Sequence, residues 1–165
     1  TFSSLNRIVI DYNQKLLYLK IDYYIPIVDQ STGADAGIAY DSSSIYPFNL
    51  EQASYGERIE VPFYEGIEKD NQGTYTFKKP YELLGVTASQ WFFFSTPVED
   101  GYMIEAMNSK SSRVQKRVIH IDRDELAYNA LMLSDDGILS ALLASSQNAS
   151  VVWWRTDALT GEIRR

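Results

Sequence analysis

The sequence has no cysteine and only one histidine, and these two shortages limit the chemistry that the chain can perform. Without thiols, the residues offer no disulfide and no thiolate metal site. A Ser-His-Asp triad would have to use His120, which lies in an apolar segment, and no Gly-x-Ser-x-Gly turn occurs. We therefore predict no catalytic residue, no metal site and no cofactor.

Basic residues are also in short supply, with 15 Lys and Arg against 22 Asp and Glu and a formal net charge of −7. Nucleic-acid binding needs a clustered positive field, so we predict no nucleic-acid partner. No apolar run approaches the roughly 20 residues of a membrane-spanning helix. The first residues, Thr1–Ser4, resemble no signal peptide and include no initiating methionine, which predicts a processed chain or part of a longer protein.

Aromatic residues are plentiful, at 13% of the chain with 12 tyrosines, and this composition favours β-strands. A weak repeat begins three times with an Arg-led apolar segment, at Arg7–Ile10, Arg58–Val61 and Arg117–His120. Each segment is followed by three more strand-like segments. A period of about 50 residues built from four strands is typical of a β-propeller blade.

The fourth segments of the repeats end in Asn49, Asn108 and Asp157. Arg58 follows Asn49 by nine positions, and Arg117 follows Asn108 by nine positions. The spacing predicts a single all-β domain over residues 1–165. Its three four-stranded antiparallel blades would cover residues 7–57, 58–116 and 117–165.

Local patterns add detail to this prediction. The apolar run Trp91–Phe94 indicates a strand covered on both faces. Ser134–Gly137 predicts a tight turn, aligned with the turn at Ala88–Gln90. We interpret Glu65–Lys79 as a long loop or a separate hairpin around Gly73. Residues 124–143 also fit a helix by propensity, but Asp135-Asp136-Gly137 would break it, and we favour two strands.

Three blades are too few to close a propeller, because four is the smallest usual number. They would leave unpaired strand edges and apolar sheet faces. We therefore expect the remaining blades to come from a longer parent chain or another subunit, or a protein partner to cover these surfaces.

The segment Leu133–Ala144, followed by Val151–Asp157 with its Trp-Trp-Arg-x-Asp pattern, resembles the closing blade of spirochaete propeller lipoproteins. This resemblance covers mainly the last third of the chain. It implies an exported bacterial protein of the periplasm or cell surface. Membership would imply a lipid anchor, but the cysteine that carries such an anchor is absent from this chain.

Trp153, Arg155 and Asp157 are the candidate site residues, because alternate residues of a strand share one face. Arg155 could then lie over Trp153 and pair with Asp157. The trio is either a ligand-binding patch, such as a sugar platform, or a structural lock between sheets, and we favour the lock.

The function that these observations favour is a non-enzymatic binding or scaffolding module that uses blade loops. The alternative is a carbohydrate-active enzyme that uses paired loop carboxylates. Three groups are available for that role: Glu99 with Asp100, Asp122 with Asp124 and Glu125, and Asp135 with Asp136.

Overall fold

The structure is a computed structural model that describes residues 1–29, 31–67, 77–99, 101–111, 113–120, 131–145 and 150–162. These residues form fourteen β-strands and no helix, so the all-β prediction is confirmed. The chain divides into two compact units, Thr1–Glu82 and Leu83–Arg165. The first seven strands are β1 (Phe2–Asp11), β2 (Leu16–Val28), β3 (Asp35–Asn49), β4 (Ser54–Tyr55), β5 (Ile59–Val61), β6 (Tyr64–Ile67) and β7 (Phe77–Pro80). The others are β8 (Glu82–Val86), β9 (Trp91–Val98), β10 (Gly101–Asn108), β11 (Val114–His120), β12 (Met132–Leu133), β13 (Ile138–Ser145) and β14 (Ser150–Asp157).

The N-terminal unit contains sheet 1, an antiparallel sheet in the order β1-β2-β3-β4, with β5 also paired to β3. Strands β2 and β3 form a long hairpin, and β3 runs unbroken through the two segments that the sequence separates as Gly37–Tyr40 and Ile45–Asn49. A second small sheet pairs β6 with β7, which confirms a separate hairpin within Glu65–Lys79. Gly73 lies outside the described residues.

The C-terminal unit contains sheet 2, in the order β11-β10-β9-β8, and sheet 3, in the order β12-β13-β14. Trp91–Phe94 in β9 is buried throughout, as its apolar run predicts. Alternate residues of sheet 2 pack with residues of sheet 3 in one apolar core. Its buried members are Trp91, Phe93, Ile104, Ala106, Ile119, Leu139, Ala141 and Ala158.

The same backbone hydrogen bond occurs once in each of the three sheets. Lys15, Gln90 and Gly137 each end a turn with a positive φ of 53°, 65° and 86°. The carbonyl of each accepts an N–H bond from the residue that follows the closing Asn or Asp. These donors are Leu50, Ser109 and Ala158, at 3.0, 3.1 and 2.9 Å.

The turns at Thr87–Gln90 and Ser134–Gly137 share one hydrogen-bond pattern. The N–H of Gln90 donates to the Thr87 carbonyl at 2.9 Å, and the N–H of Gly137 donates to the Ser134 carbonyl at 2.9 Å. In both turns the first hydroxyl also accepts the N–H of the residue that starts the next strand, Trp91 or Ile138. The predicted alignment of these two turns is therefore confirmed at the level of the backbone.

The sheets do not begin where the Arg-led segments suggest. Strand β5, which follows Arg58, and strand β11, which contains Arg117–His120, pair with β3 and β10, so they close sheets 1 and 2. Only Arg7–Ile10, in β1, lies in the first strand of a sheet. The nine-residue spacings are therefore connections within a sheet, and the sheets are offset by one strand from the repeat limits at 58 and 117.

Candidate functional site

The three candidate residues lie on β14, the last strand of sheet 3. The predicted contact between Arg155 and Trp153 is present, with the guanidinium carbon 5.9 Å from the ring centroid. Both side chains are exposed, and Trp153 keeps 65% of its surface accessible. A lock between sheets requires these side chains to be buried, so the favoured lock interpretation is wrong. The reason is that, among the described residues, no strand pairs with the outer side of β14.

Asp157 holds a turn. Its Oδ1 accepts N–H bonds from Leu159 at 3.0 Å and Thr160 at 2.8 Å, and this holds the turn after β14. Asn49 holds the equivalent turn in sheet 1 through Glu51 and Gln52. The closing Asn or Asp of each repeat is therefore a turn residue.

The backbone repeat shows which positions of the three sheets correspond. Counted four residues back from the closing Asn or Asp, Ile45 in β3 and Ile104 in β10 correspond to Trp153 in β14. In sheets 1 and 2 these isoleucines are paired with a fourth strand, β5 or β11, and they are 0% and 2% exposed. Trp153 occupies the same position without such a strand among the described residues.

The two residues before Trp153 follow the same rule. Val151 and Val152 correspond to Ser43 and Ser44 in β3, which are buried and pair with Val61 and Glu60 of β5. In β14 these valines are 64% and 55% exposed. We call Val151–Trp153, with the outer backbone edge beside it, the β14 edge. It presents three consecutive apolar residues and, in the described part of the chain, no paired strand.

A buried polar network lies on sheet 1, and no sequence argument indicated it. Lys20 and Asp22 are fully buried, and Asp22 Oδ1 accepts bonds from the Lys20 ammonium and from Ser43 Oγ, the latter at 2.5 Å. The Ser43 hydroxyl also bonds Tyr40 at 2.8 Å. Burial lowers the pKa of Lys20, and the hydrogen bond and charge of Asp22 oppose that shift.

This network lacks access for a substrate, because every charged atom in it is buried. Asp22 Oδ2 and Ser44 Oγ have no hydrogen-bond partner among the described residues. A Lys and an Asp two positions apart share one face of a strand, and that spacing in Lys20-Ile21-Asp22 is the signal that could have been noticed. The hydrogen bond from Ser43 Oγ to Asp22 connects this pair on β2 to β3 across the sheet.

The carboxylates proposed for an enzyme lie partly outside the described residues. Asp100, Asp122, Asp124 and Glu125 fall there. Asp135 and Asp136 are exposed in the turn before β13. The pKa of Asp136 is lowered, mainly by a hydrogen bond from Ser134 and also by the charge of Arg155.

His120 is exposed at the end of β11. Within the described ranges, no three acidic or histidine side chains are grouped as metal ligands would be, and no helix is long and apolar enough to cross a bilayer. In comparisons with known proteins, no family model and no curated protein matches the sequence.

Proposed function

We propose that the chain is a non-enzymatic binding module that accepts an extended segment of a protein partner along the β14 edge. The observation that carries this proposal is the exposure of Val151–Trp153 in sheet 3. In sheets 1 and 2, the corresponding positions are paired with a further strand, β5 or β11. Adding a strand to an open sheet edge supplies main-chain hydrogen bonds and side-chain contacts together.

The chemistry of the bound segment follows from the strands that fill the same place. Opposite Ile45 and its neighbours lies Ile59-Glu60-Val61, and opposite Ile104 and its neighbours lies Arg117-Val118-Ile119. Both segments carry β-branched residues, which pair well across antiparallel strands. The partner segment is therefore extended, β-branched and free of proline, with a basic residue at or beside the tryptophan.

Filling the β14 edge would give sheet 3 the four strands expected of a propeller blade. We keep the larger propeller, the scaffolding role in an exported bacterial lipoprotein and the location in the periplasm or at the cell surface as parts of this proposal. They are supported by the resemblance of Leu133–Ala144 and Val151–Asp157 to spirochaete propeller lipoproteins. The carbohydrate-active alternative stays a prediction.

The test uses a labelled peptide with the sequence of residues 113–120, which contains β11, and measures its binding to the protein by fluorescence anisotropy. We expect saturable binding, weakened at least tenfold by Val152→Lys, which corresponds to about 1.4 kcal/mol. The control is Val114→Lys, because Val114 is equally exposed on another edge strand. Equal binding of a scrambled peptide, or equal loss in both variants, would contradict the proposal.

A further inference from the structure

Strand β1 is a second open edge, and it lies at the start of sheet 1. It pairs with β2 along its whole length, and no described strand lies on its other side. Its ten residues include only two charges, Arg7 and Asp11, and its apolar residues Leu5, Ile8 and Ile10 are exposed. A long apolar edge of this kind is a template for pairing with another chain.

The sequence of β1 also matches the strands that close the other sheets. Arg7-Ile8-Val9-Ile10 has the Arg-led, β-branched pattern of Arg58–Val61, whose last three residues form β5, and of Arg117–His120 in β11. Those two segments occupy the fourth position in sheets 1 and 2. In β1 the same pattern occupies the first position of a sheet, and one of its edges has no strand beside it in the part of the chain that the structure describes. Strand β1 thus has the sequence pattern expected of a strand that would pair with the β14 edge.

We propose that β1 of one copy of this chain pairs with the β14 edge of a second copy. The inference rests on the proposed function, since it names the source of the added strand. In the register of β10 with β11, Arg7 lies opposite Trp153, and Ile8 and Val9 lie opposite Val152 and Val151. In the register of β3 with β5, β1 is shifted by one residue, so that Ile8 lies opposite Trp153. Either register places Ile8 and Val9 against the exposed apolar residues of β14.

Pairing of this kind joins two different surfaces, so it is heterologous. Each copy that joins keeps a free β1 or a free β14 edge for the next one. The assembly therefore grows with concentration, unless a ring closes. Pairing of β1 with β1, or of β14 with β14, would instead use the same surface on both copies and would give a closed dimer.

The test measures the mass of the purified chain by sedimentation velocity across a hundredfold range of concentration. One variant, Ile8→Lys, blocks β1, and the other, Val152→Lys, blocks β14. We expect each variant alone to remain monomeric and an equimolar mixture to form a dimer and nothing larger. The dimer forms because the first variant keeps an intact β14 edge and the second keeps an intact β1. Matched controls are Ile38→Lys on β3 and Val114→Lys on β11, which we expect to assemble like the unchanged chain.

Each other result overturns the inference. A monomer at all concentrations excludes pairing between copies. Assembly lost only in the Ile8 variant indicates β1 with β1, and assembly lost only in the Val152 variant indicates β14 with β14. Ile8→Thr, which keeps β propensity, replaces Ile8→Lys if circular dichroism shows that the lysine variant is unfolded. If the peptide of residues 113–120 binds while the protein stays monomeric, the proposed function survives and this inference fails.

Discussion

The buried pair Lys20 and Asp22 gives the sharpest prediction about stability. Replacing lysine in Lys20→Met leaves a carboxylate in the interior with one hydrogen bond, from Ser43, on Oδ1. Its Oδ2 already has no partner among the described residues. Removing one member of a buried ion pair typically costs about 3–5 kcal/mol, because the remaining charge is desolvated and unpaired.

A double variant separates the cost of leaving Asp22 unpaired from the net contribution of the ion pair to the free energy of unfolding. In the double variant Lys20→Met with Asp22→Leu, both charges are gone and the volume is largely kept, so we expect a free energy of unfolding within about 1 kcal/mol of the original. Urea unfolding, followed by circular dichroism, measures all three proteins. For a unit of this size, a loss of about 3 kcal/mol lowers the melting temperature by roughly 12 °C or more.

The result that refutes this reasoning is a small effect of the single variant. If Lys20→Met costs less than about 1 kcal/mol, the Asp22 carboxylate has access to water, and the network is not the dry pair described here. A double variant that is no more stable than the single one would also refute it. In that case the loss would come from packing around Lys20 rather than from the stranded charge.

Two further predictions concern exposed residues and turns. Arg155→Ala should lower the free energy of unfolding by less than about 1 kcal/mol, because its contact with Trp153 is exposed, and thermal melting checks this. A fall in melting temperature of roughly 12 °C or more, as for a buried pair, would contradict this prediction. Gly137→Ala should lower the free energy of unfolding by about 1 kcal/mol, since Gly137 has a positive φ in its turn. The urea midpoint measures this loss, and a Cβ at Gly137 would meet Thr87 only at an ordinary 3.7 Å, so a much larger loss would point to a cause other than backbone strain.

Much of the fold could be predicted where local signals and burial agree. Trp91–Phe94 is apolar on both faces and is buried, and Ser134–Gly137 has turn residues and forms a turn. The frame of sheet 1 could not be predicted, because Asp41-Ser42-Ser43-Ser44 reads locally as a loop. In the structure this run continues β3, and Ser43 donates to Asp22 across the sheet. That partner is 21 positions away, beyond the reach of local patterns.

The candidate site could be predicted only in part, for a similar reason. The alternation in Trp153-Arg155 correctly placed the two side chains together. Whether they are buried depends on a neighbouring strand, which the residues of β14 do not encode. The charges of Lys20 and Asp22 likewise suggest a solvated face, because sequence does not show that two charges satisfy each other in the interior.

The hydrogen bonds accepted by Lys15, Gln90 and Gly137 fix one end of the hairpins β2–β3, β9–β10 and β13–β14. Among the described residues, the other end of each hairpin has no such contact in common. Pairing starts next to the shared hydrogen bond in all three sheets, at Leu16 with Asn49, Trp91 with Asn108, and Ile138 with Asp157. The far end varies, because β2 has 13 residues while β9 and β13 each have 8. We therefore expect that length can be added or removed at the tip of the β2–β3 hairpin, while the anchored end keeps its register. That end of the hairpin is where we expect insertions and grafted sequences to be tolerated.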